Sequence, residues 1–275
     1  MAHLEVVQPN GPPPVWAALR SEAERTAAQE PALASLLYAA ILSHELLVDA
    51  LAFQLARKLG DGELSAMSVR DICWQAFYGD PEAMTRVEAD LQAVFERDPA
   101  CKGYLQPFLY FKGFQALQSY RVAHWLWNQG RETLAFHFQS RVSELFQVDI
   151  HPAARVGSGV FLDHGTGITV GETAVIGDDV SILHAVTLGG TGAQRGDRHP
   201  KIGRGVLLGA GAKVLGNIEI GEGAKIASGS VVLRPVPSHC TAAGVPARLV
   251  GCPPGAEPAR TMDHTLAEVV YDYVI

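Results

Sequence analysis

Residues 201–232 read KIGRGVLLGAGAKVLGNIEIGEGAKIASGSVV, and an aliphatic residue returns at every sixth position of this stretch. The positions are Ile202, Leu208, Val214, Ile220, Ile226 and Val232. A period of six matches neither the 3.6-residue turn of a helix nor the simple alternation of a strand. It predicts a solenoid in which a short strand ends at a corner every six residues and three strands complete one coil.

The same period extends toward the N terminus at eight more positions, with a slip of two residues in the middle. These positions are Ile150, Val156, Leu162, Ile168, Val170, Ile176, Ile182 and Leu188. One coil on, the chain should lie about 4.8 Å higher, with Ile202 stacked on Ile220 and Leu208 on Ile226. Glycine often follows the aliphatic residue, where we expect it to relieve corners of positive φ. Ordinary strands and turns are the alternative, and so many matches to one period disfavour it.

The composition is that of a globular protein and argues against several classes of function. The chain has 275 residues, of which 48% are hydrophobic and 19% charged, and its formal net charge is -7. No long basic block predicts nucleic-acid binding, and no run of eighteen apolar residues predicts a membrane span. The first twenty residues lack the pattern of a signal peptide. The four cysteines show no zinc-site spacing, which predicts reduced thiols and a cytoplasmic location.

The first half of the chain is predicted to be helical. Residues 1–14 end in Gly-Pro-Pro-Pro and are expected to be an extended lead-in. Residues 15–148 show apolar spacing typical of helices and are expected to form an all-helical domain. One long helix should carry the apolar positions from Leu33 to Leu51 and end near Gly60.

The second half is predicted to be the solenoid followed by a tail. We expect the solenoid over residues 149–252, interrupted by a loop at 189–201 that is rich in glycine and charge. This loop cannot belong to a coil and should project outward, where loops on rigid scaffolds often carry function. After Val232 the chain is rich in prolines, which cannot continue the hydrogen bonding of a strand ladder. Residues 253–275 are predicted to form a C-terminal tail, of which residues 261–275 should be exposed.

Several candidate functional residues lie on the solenoid or its loop. Asp149 and His164 are fifteen residues apart, which should place them on adjacent coils. A carboxylate there would orient an imidazole that takes a proton from a hydroxyl group. Asp163 precedes His164, and in an extended strand their side chains would diverge, so Asp163 is expected to contact substrate instead. Arg198 and His199, on the loop, offer a positive charge and a second polar contact.

Metal binding is a competing interpretation of these histidines. A zinc site of the carbonic-anhydrase type on such a solenoid would show two histidines five residues apart. The successive intervals from His151 to His164, His184 and His199 are thirteen, twenty and fifteen residues. The spacing therefore predicts no metal site.

Nine short stretches, spread over both halves of the chain, carry a resemblance to a known family. They are RDPA (97–100), HWLWNQG (124–130), FQVDIHPAA (146–154), LDHGTG (162–167), VGETA (170–174), SILH (181–184), VTLGGTG (186–192), GDRHPK (196–201) and AGVPAR (243–248). These sequences resemble those of the serine O-acetyltransferases, a family of hexapeptide-repeat acyltransferases, and the resemblance covers residues 15–252. What the resemblance implies for the fold is a helical domain followed by a left-handed parallel β-helix.

For function, the resemblance implies transfer of acetyl from acetyl-CoA to the L-serine hydroxyl, the first step of cysteine biosynthesis. His164 would be the general base and Asp149 its partner in a dyad. The remaining substrate roles follow from the same match. The serine ammonium would be held by Asp98 and Asp163, and its carboxylate by Arg198 and His199.

The resemblance also implies a place for acetyl-CoA and several partners. In this family CoA lies in a cleft between two β-helices of a trimer, and the matching positions are Gly190, Thr191, Ala210 and Lys225. The family typically forms hexamers from two trimers and is inhibited by L-cysteine at the serine site. Its C-terminal isoleucine, here Ile275, enters the active site of O-acetylserine sulfhydrylase. Plain disorder is the alternative for this tail.

Two other functions remain open from the sequence. One is acetyl transfer to another hydroxyl acceptor, such as homoserine, a sugar or an antibiotic. Asp98 together with Arg198 argues against it, because a zwitterionic amino acid needs both signs of charge and a sugar needs neither. The other is a binding scaffold with an idle site, and the presence of Asp149, His164 and Arg198 argues against that.

Overall fold

The computed structural model describes residues 14–192, 195–253, 255 and 257–266. Its first part is helical. The α-helices are α1 (Val15–Gln29), α2 (Ala34–Leu37), α3 (Leu47–Leu59), α4 (Ala66–Gly79), α5 (Ala83–Arg97), α6 (Leu105–Leu109), α7 (Lys112–Asn128) and α8 (Glu132–Phe146). A 3-10 turn (Pro31–Leu33) and a π turn (Tyr38–Leu42) flank α2. No helix of the described residues is long and apolar enough to cross a membrane.

The long helix predicted from Leu33 to Gly60 is wrong, because the chain breaks between the π turn and α3. Leu46 has an extended backbone, with φ -118° and ψ 147°. Side chains of α1 bind the carbonyl groups that the break exposes. Arg20 donates to the carbonyls of Leu42 and His44, and Trp16 Nε1 donates to the Glu45 carbonyl at 2.8 Å. The apolar spacing continues across the break, so it could not reveal the break.

A buried ion pair joins the helices to the solenoid. Arg121 Nη2 on α7 lies 2.7 Å from Asp90 Oδ2 on α5, and the Asp90 side chain is fully buried. Asp90 Oδ1 also accepts the backbone N–H of Val160 at 3.0 Å. Because an unpaired buried charge is costly, these contacts fix the helical part against the first coil.

The second part is a left-handed parallel β-helix with three sheets. Its strands are β1 (Val148–Ile150), β2 (Arg155–Val156), β3 (Phe161–Leu162), β4 (Ile168–Val170), β5 (Val175–Ile176), β6 (Ser181–Ile182), β7 (Thr187–Gly189), β8 (Lys201–Ile202), β9 (Leu207–Leu208), β10 (Lys213–Leu215), β11 (Glu219–Ile220), β12 (Lys225–Ile226) and β13 (Val231–Val232). Sheet 1 has the order β1-β4-β7-β10-β13, and sheet 2 has the order β11-β8-β5-β2. Sheet 3 contains β3, β6, β9 and β12 and continues into β14 (Thr241–Gly244) and β15 (Ala247–Gly251).

The predicted stacking of the coils is confirmed. Ile202 pairs with Ile220, and Leu208 pairs with Ile226. All four side chains are buried. The division into domains at residues 148 and 252 stays a prediction.

The glycines that follow the aliphatic residues have another role than the predicted one. Gly209 and Gly203 do not have a positive φ. A Cβ at Gly209 would lie 2.6 Å from the backbone nitrogen of Ser228, and one at Gly203 would lie 2.7 Å from that of Glu222. These glycines therefore allow close approach of one coil to the next, while other glycines hold the positive-φ corners.

The last coil ends in a disulfide-linked hairpin. β14 and β15 are antiparallel, with Thr241 opposite Gly251. This pairing brings Cys240 and Cys252 together, and they form a disulfide. The prediction of reduced thiols is wrong for this pair, because the linear spacing could not show that a hairpin joins its ends. Cys73 and Cys101 are free and buried.

The described part of the predicted tail contacts the rest of the protein. A short helix, α9 (Pro258–Thr261), buries Ala259 in a small cluster with Leu183 and Leu207. Ser181 Oγ donates to the Ala259 carbonyl at 2.8 Å. This segment of the predicted tail lies against sheet 3. The prediction that the chain after Val232 cannot continue the ladder is wrong, because β14 pairs in parallel with β12.

Candidate active site

One candidate group lies on the corner between sheets 3 and 1, at residues 163–167. His164 follows β3 with a left-handed backbone (φ 57°), so the strand ends before it. Its side chain is 75% exposed, and its Nε2 lies 3.7 Å from Asp163 Oδ1. The prediction that these two side chains diverge is wrong, because it assumed an extended backbone at His164. Asp163 and His164 therefore face the same space.

Two further residues act on Asp163. Burial raises the pKa of the Asp163 carboxyl, the His164 imidazole opposes this rise, and the nearby Asp98 carboxylate adds to it. Asp98 caps the end of α5 and accepts the Ala100 N–H at 2.8 Å. The His184 ring lies 6.0 Å from the His164 ring in an edge-to-face arrangement. We call Asp98, Asp163, His164 and His184 the first corner group.

A second group lies on the corner between sheets 1 and 2. Arg198 Nη2 donates to Glu172 Oε2 at 2.7 Å, and this bond holds the pKa of the Glu172 carboxyl below its ordinary range. His199 is buried and its Nδ1 accepts the Thr173 N–H at 3.1 Å. Burial lowers the pKa of His199, and the Arg198 cation lowers it further. We call Glu172, Thr173, Arg198 and His199 the second corner group.

Close packing also fixes the His199 ring. A Cβ at position 171 would overlap the ring of His199, so Gly171 is needed for this placement. The backbone nitrogens of Arg198 and His199 both donate to Thr173 Oγ1, at 3.0 and 3.1 Å. The end of the loop is therefore anchored before β8 begins.

Asp149 lies near the second group and not beside His164. Its Oδ1 accepts a hydrogen bond from Gln139 Nε2 at 2.6 Å. Within the described part of the chain, no hydrogen bond or ion pair joins Asp149 to His164. Burial lowers the pKa of the neighbouring His151, whereas Glu172 and Asp149 raise it and Arg198 lowers it. Asp149 and Arg198 thus share one neighbourhood, and the dyad with His164 stays a prediction.

Three of the four predicted CoA residues fall on the same two corners, and Lys225 lies on β12. Ala210 lies on the corner of the first group, because the Gly211 N–H donates to the His184 carbonyl at 2.9 Å. Gly190 and Thr191 follow β7 at the corner of the second group. One chain therefore carries some of the predicted site residues on each of the two corners.

The predicted CoA residue Lys225 is bound by the C-terminal segment. Its Nζ lies 3.2 Å from Asp263 Oδ2 and donates to the Thr265 carbonyl at 2.5 Å. His264 also acts on the first corner group, since its charge lowers the pKa of Asp163. The segment at 263–265 therefore contacts one of the predicted CoA residues. Ile275 lies outside the described residues.

Sequence reasoning missed His184, Glu172 and Thr173 as parts of the site. For His184 a signal was present, because Phe161 pairs with Ser181 and the same register places His184 next to His164. Glu172 and Thr173 lie in the VGETA stretch (170–174) that supports the family resemblance. Their contacts with Arg198 had no signal, because the loop that returns Arg198 to them has no periodicity. Among the residues that the structure describes, no three His, Cys, Asp or Glu side chains are arranged to hold a metal ion.

Comparisons with known proteins decide the family. The family described as "Serine acetyltransferase, N-terminal" matches residues 15–119, and "Bacterial transferase hexapeptide (six repeats)" matches residues 199–234. The serine acetyltransferase of Escherichia coli K12 is 57% identical over 249 residues, which are 90% of this chain and 91% of the relative. The chain belongs to the serine acetyltransferase family.

Solved structures of serine acetyltransferases have the same fold. A complex with cysteine has a TM-score of 0.91 at 52% identity and covers 92% of this chain and 98% of its own. The Brucella abortus enzyme with coenzyme A has a TM-score of 0.85 at 53% identity, covering 87% and 97%. The soybean enzyme with serine has a TM-score of 0.84 at 57% identity, covering 86% and 97%. The predicted family, left-handed β-helix and acyltransferase activity are confirmed.

Proposed function

We propose that the chain is a serine O-acetyltransferase that converts acetyl-CoA and L-serine to O-acetylserine and CoA in cysteine biosynthesis. The first corner group carries this proposal, because it places an exposed imidazole beside two carboxylates. Asp98 and Asp163 suit the ammonium group of an amino acid, and His164 suits its hydroxyl. The relatives named for serine acetylation and the homologues bound to serine and CoA support the same substrates.

His164 is the general base in this mechanism. A serine hydroxyl is too weak an acid to react unaided at neutral pH, so the Nε2 atom of His164 takes its proton as the oxygen attacks the thioester carbon. The carbonyl oxygen becomes negative in the tetrahedral intermediate. The C–S bond then breaks, and the proton passes from His164 to the departing CoA sulfur.

His184 is placed to assist that step. It lies between His164 and Ala210 on one corner, and its side chain is exposed. An acetyl group that passes from a CoA molecule along Ala210 to a serine beside His164 would meet the His184 ring. An imidazole N–H at this place would donate to the oxygen that becomes negative, which is a strong means of catalysis.

A trimer would complete the site. The serine carboxylate needs Arg198 and His199, which lie on another corner of the same protomer. We propose that the second corner group of a neighbouring copy faces the first corner group, as symmetric oligomers commonly allow. The same contact would bring the neighbour's Asp149 to His164 and its Gly190 and Thr191 to CoA. A hexamer of two trimers, joined through the helical domains, is the assembly predicted from the family.

Regulation and location extend the proposal. A homologue bound to cysteine supports L-cysteine as an inhibitor at the serine site. The contact of Ile275 with O-acetylserine sulfhydrylase stays a proposal, and deletion of Ile275 should abolish that binding while acetylation continues. The cytoplasm is the proposed place of action.

The assay follows loss of the acetyl-CoA thioester absorbance, since added cysteine would obscure a thiol readout. L-serine, homoserine, a glucoside and a galactoside are compared as acceptors, each with and without L-cysteine. We expect serine-dependent turnover that cysteine suppresses. Turnover with another acceptor but not serine would move the function to that acceptor, and no turnover with any would favour a binding scaffold.

A further inference from the structure

A cavity between the helices and the first coil lies apart from both corner groups. Its volume is about 430 Å³, and it lies between the α4–α5 link, the second half of α7 and strand β2. A volume of this size accommodates a small organic ligand. Its charged lining residues are Arg86, Arg121, Arg155 and Asp80.

Two of the three arginines are held in place by carboxylates. Arg121 Nε and Nη2 donate to Asp90 Oδ2 at 2.9 and 2.7 Å. Asp90 lies behind Arg121 and does not line the cavity. Arg86 pairs with Asp80 and, at 2.8 Å, with the exposed Glu82. Both guanidinium groups are therefore fixed in the wall before any ligand binds.

The third arginine has no such partner. Arg155 is exposed on β2, and among the described residues no side chain or carbonyl accepts a hydrogen bond from its guanidinium. Asp80, the sole carboxylate of the described lining, already accepts from Arg86 and from the Glu82 N–H at 3.1 Å. Arg121 Nη2 also donates to the Gly157 carbonyl at 2.7 Å, so the spare donors of the described lining are mainly those of Arg155. The same lining has no free carboxylate.

His124 and Trp125, on another side of the cavity, add no negative charge to its lining. His124 Nδ1 donates to the Pro152 carbonyl at 2.7 Å, and its Nε2 accepts from Asn128 Nδ2 at 3.1 Å, so the ring is neutral. Burial lowers the pKa of His124, and the Arg121 and Arg86 cations lower it further. The indole of Trp125 adds an apolar surface beside these groups.

We propose that this cavity binds a phosphorylated small molecule, with its phosphate between Arg86, Arg121 and Arg155 and its organic part against Trp125. Guanidinium groups match the geometry of phosphate oxygens and bind them in a bidentate manner. Arg155 supplies a guanidinium group that pairs with no carboxylate of the described residues. The bound ligand would also connect the helices to the first coil, because Arg86 and Arg121 lie on helices and Arg155 lies on β2.

Calorimetric titration of the assembled protein tests this, without acetyl-CoA and at constant ionic strength because salt screens such contacts. The probes are inorganic phosphate, inorganic sulfate and phenyl phosphate. We expect saturable binding of phosphate, and tighter binding of phenyl phosphate. Arg155→Gln should weaken both about tenfold, as loss of one charged hydrogen-bonding partner predicts. The exposed Arg234, changed to Gln, is the matched control and should leave both unchanged.

Trp125→Phe separates the two halves of the proposed ligand. It should weaken phenyl phosphate severalfold and leave inorganic phosphate unchanged. Equal affinities for phosphate and phenyl phosphate would contradict the proposal that the cavity binds the organic part of a ligand. The cavity would then be a site for a free oxyanion. The whole proposal fails if no probe binds saturably up to about 10 mM, or if Arg155→Gln binds phosphate as tightly as Arg234→Gln does.

Discussion

The two corner groups carry similar side chains in opposite states. In the first corner group His164 is exposed, and burial raises the pKa of Asp163. In the second corner group His199 is buried, and the bond from Arg198 lowers the pKa of Glu172. The first group leaves its polar atoms available to a substrate, whereas the second uses many of its own to hold a fixed geometry.

This difference indicates a division of roles. A base must be able to gain and lose a proton, which an exposed imidazole does readily. A residue that orients a carboxylate works best when it is already held in position. The solenoid provides both an exposed histidine and a fixed one. The corner of the first group is a short turn, whereas the corner of the second group receives a loop that is anchored on Thr173.

Removal of the His164 imidazole is expected to lower activity more than any other change discussed for the two corner groups. His164→Gln should lower kcat by about 10²–10⁴, the usual contribution of a general base. The KM for serine should change little, since the carboxylates that bind its ammonium remain. Steady-state kinetics measure both constants, and size-exclusion chromatography checks the assembly.

His239→Gln is the matched control for that variant. His239 is also exposed on a corner with a left-handed backbone, at φ 58°. We expect normal turnover from it. If His164→Gln retains near-normal turnover, the base lies elsewhere and the first corner group loses its proposed role.

Mixed assemblies test whether the two groups meet between copies. His164→Gln and Arg198→Gln should each have little activity alone. In randomly mixed trimers from equal amounts, about a quarter of the sites would combine an intact first group with an intact second group. Refolding the two variants together should therefore restore about a quarter of the turnover. No recovery in verified mixed trimers would mean that one copy supplies both groups.

The opposite pKa directions give opposite effects on stability. The folded-state pKa of Asp163 lies above 3.8, so its ionised form destabilises the fold at neutral pH, and this penalty disappears as the pH falls below that pKa. Asp163→Asn should raise Tm at pH 7, with a gain that shrinks in acid. The folded-state pKa of Glu172 lies below 4.5, so its ionised form stabilises the fold above that value.

Glu172→Gln should accordingly lower Tm at pH 7, and this loss should shrink as the pH falls through the folded-state pKa of Glu172. Thermal unfolding of both variants across a pH series measures the two effects. If both variants shift Tm in the same direction at pH 7, the contrast between the corner groups is wrong.

The solenoid could be predicted from the sequence because burial repeats with its period. Each inward residue, such as Ile202, stacks on an equivalent residue of the next coil, so the pattern records the fold directly. The break before α3 and the disulfide could not be predicted. Both depend on contacts between distant residues, such as Arg20 with Leu42 and the pairing that joins Cys240 to Cys252.

The site was predictable only where the chain is periodic or the family motif is local. His164 and Asp163 lie in such a motif, but their relative orientation depends on one backbone angle that no pattern reports. Arg198 was predicted to supply a positive charge, but its ion pair with Glu172 depends on the path of the loop, which the sequence pattern does not report. The contact of the C-terminal segment with Lys225 had no signal, because that segment has no repeat.

That contact leads to the smallest predicted effect. Lys225 is proposed to bind CoA, and Asp263 forms an ion pair with its ammonium group. Asp263→Ala should lower the KM for acetyl-CoA about twofold to fivefold, which corresponds to an exposed ion pair of up to about 1 kcal/mol. The KM for serine should stay the same. Glu257→Ala, in the same segment but facing Arg260, is the control and should change neither constant.

The direction of this effect matters more than its size. If the segment competes with CoA for Lys225, loss of Asp263 frees the lysine and acetyl-CoA binds more tightly. If the segment instead helps to bind CoA, the same variant raises the KM for acetyl-CoA. A higher KM would therefore assign the segment to the substrate site, where it would add to the corner groups, and would contradict the competition argued here.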